Sequence, residues 1–555
     1  MAILISDVRL EIDDSDAEIL RKIRKILRWR GDGPAWKWQR RSLDARKRSE
    51  PHFVANFIVD AKWEERYAKN PHIKEYKEPE RQKIPPVAGR KIRPIIVGSG
   101  PAGLFAAWRL TEAGLPPLVL ERGDPLAERC RKVSLFRRGG PFDPESNVPF
   151  GQGGAGTFSD GKLLSRIKDP RSAEVFEILH QMGAREEILW QQKAHVGTDE
   201  LIPILDQLCR YLEEKGAIFQ YRTRFEWLDT EALPPDERAV GFTRRLRSIR
   251  ANGEDLACDR LILALGHSAR DTLRALEACG LHLEAKGFAA GFRIEHLQKI
   301  INIAQLGVAS PHPRIGAADY RLHTPAGRCS IYSFCMCPGG EVIAAASEER
   351  TCVTNGMSSY ARAKENANAG ILCGLEPSDF GEGLWGGMEF QERVEREAFS
   401  LGGSDYKAPV QRLGDFVEAL TERYPDDAEA FFKREGVSTA SLTKGAGRPE
   451  ASYLPGVHPA DLSSLYPKEM TLSIAAGILH FGSQLRGFSD RETLLTAPET
   501  RSSSPVRVSR NPRSGEALGI RGIFPCGEGA GYAGGITSSA VDGLLAAEHL
   551  LESCR

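Results

Sequence analysis

The sequence predicts an α/β fold in which a nucleotide-binding sheet is divided by an inserted domain and preceded by a small α+β domain. A strand, a glycine turn and a helix are predicted at residues 91–107, and a glycine-rich segment with the same order of elements lies at residues 522–543. The stretch between them has several Gly-rich turns and few long helical patterns. One domain interrupted by another is the simplest arrangement that unites the two similar segments.

The length of 555 residues exceeds a single ordinary core, so we expect several domains. We predict an N-terminal α+β domain at residues 1–85 and the first part of the nucleotide-binding domain at residues 86–285. An inserted substrate domain is predicted at residues 286–480. Residues 481–555 are then the second part of the nucleotide-binding domain.

Composition indicates a soluble globular protein, with 75 basic and 75 acidic residues and no net charge to attract a polyanion. No apolar run reaches the ~20 residues of a membrane span, and the first residues lack the features of a signal peptide, so we expect a cytoplasmic protein without a membrane partner. The eleven cysteines follow no disulfide framework or zinc spacing. They predict reduced thiols and no metal site.

The N-terminal domain is predicted from a strand at residues 3–12, a capped helix whose apolar residues recur from Ile19 to Leu27, and a strand at residues 52–60. Residues 67–90 are rich in Lys, Glu and Pro, as linkers are. Twelve Lys or Arg between residues 21 and 48 are interleaved with three tryptophans. This pattern suits a solvated face better than a nucleic-acid surface, which stays open as an alternative.

The first glycine segment follows the predicted strand Ile95–Val97. Glycines of this spacing allow a tight turn, close approach of the backbone to a pyrophosphate, and close packing of helix on strand. The N-terminus of the following helix then faces the phosphates. The residues predicted to bind a cofactor here are Gly98, Gly100, Pro101, Ala102 and Gly103.

Glu121 follows the next predicted strand, Leu118–Leu120, about twenty residues after the turn, where a carboxylate binds a ribose diol. A carboxylate there repels a 2′-phosphate, so FAD or NAD fits and NADP fits poorly. Arg122 is predicted either to be solvated or to contact the diphosphate.

The second glycine segment begins with a strand at Ile523–Pro525 and ends in a helix that starts near Thr537. A helix start rich in Gly, Thr and Ser offers free N–H groups and a positive dipole end to a flavin or a phosphate. An acid after the first glycine can hold a ribityl hydroxyl. The predicted cofactor residues are Gly527, Glu528, Gly535 and Ile536.

With these motifs, the chain resembles the bacterial FAD-dependent dehydrogenases, or NAD(P)/FAD-dependent oxidoreductases, of the glutathione-reductase-like flavoprotein class. Besides the two glycine segments, the resemblance rests on SLDARKR (42–48), FGQGGAGTFSDGKL (150–163), ALGHSARDT (264–272), GFRIEH (291–296), FCMCPGGEVIAAASE (334–348), TNGMS (354–358) and ETRSSSPVR (499–507). It implies a Rossmann-like FAD-binding domain of the glutathione-reductase type, split by an inserted substrate domain, with FAD as the cofactor.

Analogy with related flavoproteins places the loop at residues 150–163 beside the isoalloxazine or the diphosphate, and the strand that ends at Gly266 beside the cofactor. The loop residues predicted to contact the cofactor are Gly153, Gly154, Ala155, Gly156, Ser159, Asp160, Gly161 and Lys162.

Candidate catalytic residues on the substrate side are His296, Arg293 and His267, because imidazoles near their ordinary pKa suit acid–base work. His195 is a weaker candidate, and a structural role is the alternative for each histidine. Arg501 and Arg507 stand among hydroxyl residues and could bind an anionic group or be solvated. Cys335 and Cys337 are predicted mainly as core thiols, with a redox dithiol as the alternative.

The predicted function is an FAD-dependent oxidoreductase, a dehydrogenase or reductase that passes a hydride or electron pair between FAD and a small organic substrate. A flavin monooxygenase is one alternative, and a flavoprotein with an RNA- or protein-binding N-terminal module is another. Only one complete dinucleotide turn is present. NAD(P)H as electron donor would therefore bind transiently over the flavin.

Overall fold

The computed structural model describes residues 2–48, 50–78, 92–163, 167–236, 238, 241–381 and 383–555. They form an N-terminal unit, a nucleotide-binding unit built on a five-stranded parallel sheet, and an inserted unit built on a seven-stranded sheet. The predicted α/β class with α+β additions is confirmed.

The N-terminal unit is an antiparallel sheet in the order β2-β3-β1-β4, covered by one helix. The helix begins after Ser15, which forms a capping box with Glu18, and buries Ile19, Ile23 and Leu27 against the sheet. The elements are β1 (Ala2–Leu10), α1 (Asp16–Leu27), β2 (Trp36–Asp44), β3 (His52–Val59) and β4 (Ile73–Tyr76).

Two strands of this unit, β2 and β4, were not predicted. The linker assigned to residues 67–90 is wrong at its start, because β4 pairs with β1 and buries Ile73. The predicted boundary at residue 85 lies outside the described residues.

In β2, Trp38 stacks on Trp190 of the nucleotide-binding unit, and the Arg41 guanidinium lies over both rings. Trp38 is therefore a docking contact between the two units.

The nucleotide-binding unit has the parallel strand order β24-β11-β5-β6-β7. Alternate residues of β5 enter separate apolar clusters, since Ile96 packs on one side and Ile95 and Val97 on the other. Both faces of the sheet are thus covered. The elements up to residue 285 are β5 (Ile95–Val97), α2 (Pro101–Glu112), β6 (Leu118–Leu120), α3 (Leu126–Arg137), α4 (Arg171–Gln181), α5 (Thr198–Glu214), β7 (Ile218–Gln220), β8 (Phe225–Ala232), β9 (Phe242–Ala251), β10 (Glu254–Ala257), β11 (Leu261–Leu263), α6 (Arg270–Ala278) and β12 (Leu283–Ala285).

The inserted unit is a sheet in the order β14-β15-β18-β13-β21-β19-β20, with helices packed against it. Its elements are β13 (Phe288–Leu297), α7 (Gln298–Leu306), β14 (His323–Ala326), β15 (Cys329–Cys337), β16 (Glu341–Ala344), β17 (Thr354–Met357), β18 (Asn366–Leu375), α8 (Gly386–Leu401), β19 (Ala408–Arg412), α9 (Leu413–Arg423), α10 (Pro425–Arg434), β20 (Val457–Pro459), α11 (Lys468–Gln484) and β21 (Leu494–Glu499).

The chain leaves the inserted unit later than residue 480. That position falls inside α11, and β21 still pairs with β13 and β19 in the seven-stranded sheet. The following elements, β22 (Val506–Val508), β23 (Gly519–Arg521), β24 (Ile523–Pro525) and α12 (Ile536–Glu552), pack with the nucleotide-binding unit. We therefore propose a boundary between residues 499 and 506.

Candidate functional site

The first glycine turn joins β5 to α2 in a conformation that only glycine accommodates. Gly98 has φ +101°, and a Cβ there would lie 2.5 Å from the Ala264 carbonyl oxygen. A Cβ on Gly103 would overlap the Gly98 carbonyl oxygen. Gly100 differs, because a Cβ there would meet only the Gly154 Cα at 3.7 Å, so this glycine borders open space.

Glu121 ends β6 beside this turn and is buried. Its Oε2 accepts hydrogen bonds from the Ser99 N–H and hydroxyl at 3.0 and 2.8 Å. Its Oε1 accepts from the N–H groups of Gly123 and Gly151 at 2.9 and 3.0 Å. These four bonds use the carboxylate's acceptor sites. A ribose hydroxyl bound here would have to displace the Ser99 hydroxyl.

The loop at residues 150–163 packs directly on the turn. The Gly153 N–H donates to the Ser99 carbonyl at 2.9 Å, and a Cβ on Gly154 would lie 2.8 Å from the Gly100 Cα. A Cβ on Gly156 would lie 3.0 Å from Ile536 and 3.7 Å from Pro101. Pro101 and Ile536 are the first residues of α2 and α12. The loop therefore lies between the N-termini of two helices.

Arg129 of α3 holds this loop in place and was missed from the sequence. Its buried guanidinium donates hydrogen bonds to the carbonyl oxygens of Asn147, Val148, Gly151, Gln152 and Gly154. Burial lowers the pKa of Arg129 to about 10, which still leaves it charged at neutral pH. In the sequence it is one of five charged residues of a helix, and nothing local distinguishes it.

Partly or fully exposed residues at this junction define what we call the glycine cleft. Its walls come from the turn, the loop, the end of β11 and the start of α12. Its members are Gly100, Pro101, Gly154, Ala155, Gly156, Ser159, Lys162, Gly266, His267, Glu528, Gly534, Gly535 and Ile536.

Two polar groups of the cleft face each other where β11 and β24 end. The His267 Nδ1 lies 3.7 Å from the Glu528 Oε2, and the His267 Nε2 is buried without a hydrogen-bond partner among the described residues. The Gly527 N–H donates to Asp542 at 2.8 Å, which fixes the backbone before Glu528. The structure thus joins His267 and Glu528, which were predicted separately.

Several loop residues predicted to contact a cofactor have hydrogen bonds or ion pairs within the chain. Asp160 is buried, with the Arg362 Nε at 3.0 Å and the Ser358 hydroxyl as partners, and Lys162 lies 3.6 Å from it. The Ser159 hydroxyl donates to the Gly156 carbonyl and accepts from the Gly161 N–H. Asp160 therefore ties the loop to the inserted unit.

Arg122, predicted either to be solvated or to contact the diphosphate, is bound by two carboxylates of the chain. Its guanidinium is bound by Glu145 and Asp271 at about 3.0 Å and lies over the Phe150 ring. Two carboxylates thus hold it outside the turn.

The inserted unit contains a buried polar face. We define this polar face by Arg293, Glu295, Asn368 and Glu499, whose side chains lie on one side of β13, β18 and β21. Arg293 is fully buried, pairs with Glu499 at 2.9 Å, and donates to the Cys335 carbonyl at 3.1 Å. These internal partners are the ones the structure gives Arg293, and its predicted catalytic role stays a prediction.

His296 is not suited to the catalytic role predicted for it. Its Nε2 shares a hydrogen bond with the Phe488 carbonyl at 2.8 Å, and Phe488 and Tyr320 pack on the ring. Burial lowers the pKa of His296 to about 4, so the ring is neutral at physiological pH. The burial of β13, which no local pattern near His296 indicates, favours the structural role that was the alternative for this histidine.

The anionic partner of Arg501 is a carboxylate of the same chain, that of Glu395. Glu395 of α8 is fully buried between Arg270 and Arg501, with contacts of 2.7–3.0 Å to both guanidinium groups. The two arginines hold the pKa of Glu395 well below its usual range. This cluster joins α6 of the nucleotide-binding unit to the inserted unit.

Within the described ranges, no three His, Cys, Asp or Glu side chains group as metal ligands, and no helix is long and apolar enough for a membrane span.

Comparison with known proteins yields two family matches and one close relative. Residues 287–502 match the model of an FAD-dependent protein, C-terminal domain-like, and residues 96–155 match the model of an NAD(P)-binding Rossmann-like domain. An uncharacterized protein from Clostridium beijerinckii is 39% identical over 561 residues, which cover 100% of this chain and 99% of that protein.

Solved structures with some likeness include two flavoenzymes. The open conformation of a flavocytochrome c3 fumarate reductase shows 13% identity and a TM-score of 0.34, over 83% of this chain and 78% of the other. A 3-ketosteroid delta1-dehydrogenase from Sterolibacterium denitrificans shows 12% identity and a TM-score of 0.33, over 83% and 99%. Values this low carry no information on substrate or mechanism.

Proposed function

The chain belongs to the FAD-dependent oxidoreductase family, and on that premise we propose that it transfers a hydride or electron pair between FAD in the glycine cleft and a small organic substrate beside the polar face. The observation that carries this proposal is the position of Gly156 between Pro101 and Ile536. Two helix N-termini and a glycine loop meet there, which is the arrangement that binds a diphosphate through backbone N–H groups.

We propose that the cleft takes the flat, dianionic cofactor because several of its members are glycines, and a Cβ on Gly266 or Gly534 would meet nothing within 4 Å. We propose that Gly100, Gly154 and Gly535 leave the backbone open to the diphosphate, and that Glu121 receives the ribose in place of the Ser99 hydroxyl. FAD would supply the capacity to accept or donate an electron pair.

The residues of the chain would position that chemistry. We propose that Glu528 holds a ribityl hydroxyl and that His267, whose Nε2 has no partner among the described residues, donates a hydrogen bond to a polar atom in the cleft. Lys286 was not predicted but belongs to this group. Burial and the nearby charge of Arg507 lower the pKa of Lys286, while Glu528 acts in the opposite direction.

The electron donor is left to experiment. The described strands around the first turn offer one dinucleotide site, so NADH or NADPH would meet the cofactor from the substrate side. A monooxygenase would consume NAD(P)H and oxygen together. Anaerobic mixing with each nucleotide, followed by the same reaction in air, separates the two functions by whether oxygen is needed for turnover.

Substitution of Gly100 tests the site itself. Gly100 has ordinary extended backbone angles and space for a Cβ, so Gly100→Val should fold, but the valine methyl groups would enter the cleft. We expect at least tenfold less FAD per chain after purification. The measurement is the ratio of flavin absorbance to protein, with FAD identified after extraction.

The matched control is Gly374→Val in β18, where a Cβ would meet only the Ser330 carbonyl oxygen at 3.8 Å. This variant should keep the wild-type FAD content. Equal FAD content in the Gly100 and Gly374 variants would overturn the proposed site.

A further inference from the structure

The Cys335–Cys337 segment interrupts the regular pairing of β15. The register of β15 against β18 breaks between Phe334 and Cys337, and Cys335 has φ +42°, a left-handed conformation that is unusual for a residue other than glycine. Sequence alone favoured an extended strand with two core thiols. A held irregularity of this kind points to a functional constraint.

Arg293 holds the irregular segment. Its guanidinium donates to the carbonyl oxygens of Cys335 and Phe334 at 3.1 and 3.4 Å, and to Asn355 at 3.0 Å. The Cys337 thiol also donates to the Cys335 carbonyl, at 3.2 Å. Cys335 is left half-buried, while Cys337 is fully buried.

The two thiols differ in their protonation. The hydrogen bond with Cys337, together with the positive charges of Lys162 and Arg293, lowers the pKa of Cys335 to about 6. The same pairing, with burial, raises the pKa of Cys337 well above its usual range. At neutral pH the pair therefore holds one proton, as a Cys335 thiolate and a Cys337 thiol. Lys162 belongs to the glycine cleft, so a positive charge of the cleft contributes to stabilising the Cys335 thiolate.

An unpartnered polar group lies beside the pair. Asn368 stands directly opposite Cys337 in β18 and is fully buried, yet neither atom of its amide has a partner in the described structure. A Cβ on Gly356 would overlap both the Asn368 Oδ1 and the Arg293 Nη2, so the amide lies next to Arg293. Buried amides are normally bonded, which indicates that Asn368 is available to a polar ligand.

We propose that Cys335 and Cys337 are a redox-active dithiol that exchanges an electron pair with FAD on one side and with a disulfide substrate on the other. This inference rests on the proposed function, since it needs FAD in the glycine cleft. In a regular strand, residues two apart are separated by about 6.6 Å, just inside the ~6.8 Å limit for a disulfide. Release of this segment from the β18 ladder gives the side chains freedom to close the bridge.

The steps balance without a further reactant. The Cys335 thiolate attacks a disulfide R–S–S–R, so that a Cys335–S–S–R bond forms and RS⁻ leaves. The Cys337 thiol then attacks the Cys335 sulfur, the second RS⁻ leaves, and the Cys337 proton passes to a leaving thiolate. The Cys335–Cys337 disulfide would then accept two electrons and one proton, with FAD in the glycine cleft as the electron donor, and return to thiolate and thiol. A thiol with a pKa near ambient pH is well suited to the first attack.

Peptide mapping tests the dithiol without relying on activity. The full chain is oxidised with diamide, alkylated under denaturing conditions, and cut with trypsin. In wild type we expect the peptide of residues 329–350 to carry one alkyl group, on Cys329, and a Cys335–Cys337 bridge. Cys335→Ser should remove the bridge. Cys329→Ser is the matched control, because the Cys329 thiol is hydrogen-bonded to Cys373 rather than to Cys337. This variant should keep the Cys335–Cys337 bridge.

Anaerobic titration tests the link to the flavin. Oxidised FAD-loaded wild type should take up two electron pairs per FAD from dithionite, and Cys335→Ser and Cys337→Ser one pair, with unchanged circular dichroism. Reduced wild type should reduce 5,5′-dithiobis(2-nitrobenzoate) with return of the oxidised flavin spectrum, and both variants at least tenfold more slowly. The rate of Cys335 alkylation should rise with pH about a midpoint near 6.

Two outcomes are distinguishable. A wild-type protein that binds FAD, takes up one electron pair and alkylates fully at Cys335 and Cys337 would overturn the dithiol and leave the proposed function standing. A wild-type protein that binds no FAD would overturn the proposed function, and with it the electron route, whatever the peptide map shows.

Discussion

At the scale of single residues, the proposed site depends on the buried guanidinium of Arg129, which binds backbone carbonyl oxygens. Arg129 donates hydrogen bonds to five carbonyl oxygens, three in the loop at residues 150–163 that shapes the glycine cleft and two, of Asn147 and Val148, just before it. Hydrogen bonds from a charged donor are stronger than neutral ones, and loss of Arg129 would take a donor from each carbonyl, although those of Gly151 and Gly154 keep backbone donors at 2.9 and 3.2 Å. Because the partners are backbone atoms distant in sequence, no motif could have identified Arg129.

Replacement of this arginine should loosen the cleft. We expect Arg129→Met, which keeps most of the apolar stem, to lower the free energy of unfolding by at least about 3 kcal/mol. FAD retention should fall as well. Urea unfolding and FAD content measure the two effects, and Arg131→Met on the exposed side of the same helix is the control. Wild-type FAD content in Arg129→Met would contradict the role assigned to the loop.

His296 gives a prediction for pH. Its pKa is about 4 in the folded protein and near 6.5 when unfolded, so the unfolded chain binds the additional proton between these values. The stabilisation is complete above pH 6.5, declines as pH falls through this window, and is absent below about pH 4. It amounts to about 3 kcal/mol.

Removal of the imidazole should remove this dependence. His296→Gln can still donate a hydrogen bond to the Phe488 carbonyl, and its unfolding free energy should fall less between pH 7.5 and pH 4.5 than that of wild type. Chemical denaturation at the two pH values gives the comparison. Identical losses would show that His296 is not a buried neutral ring.

At the scale of elements, the close packing of α2 against α12 sets where the N-termini of these two helices lie in the cleft. A Cβ on Gly543 of α12 would overlap the Ala102 carbonyl oxygen of α2. The strands and turns at both ends of the site were predictable from sequence, since their glycines and short apolar runs serve local geometry. Strand β2 was not predicted, because Arg40 and Arg41 stand in it and its pairing with β3 depends on distant residues.

An added methyl group should separate these helices. Gly543→Ala introduces a Cβ against backbone that cannot yield locally, so α12 must shift along with its N-terminus. We expect a loss of about 1–3 kcal/mol despite the better helix propensity of alanine, and weaker FAD binding. Thermal unfolding and FAD titration provide the measurements. Gly374→Ala is the control, and the same FAD affinity in both variants would refute the argument.

At the scale of the whole molecule, the site is a junction between two units. Glu395 binds Arg270 and Arg501, and Asp160 binds Arg362, so charged contacts join the nucleotide-binding unit to the inserted one at two places. From the sequence, Arg501 was predicted either to bind an anionic group or to be solvated, and nothing there could identify Glu395, which lies 106 residues away. The predicted end of the insertion at residue 480 was also too early, because β21 could be assigned to the seven-stranded sheet only from its pairing with β13.

The central claim is that the glycine cleft binds FAD and supports two-electron chemistry. The most direct test is a visible spectrum of the purified protein, with extraction of the chromophore and anaerobic reduction. We predict oxidised flavin bands that bleach on reduction, with close to one FAD released per chain. A colourless protein that cannot be reconstituted with FAD, or one that releases only FMN, would contradict it.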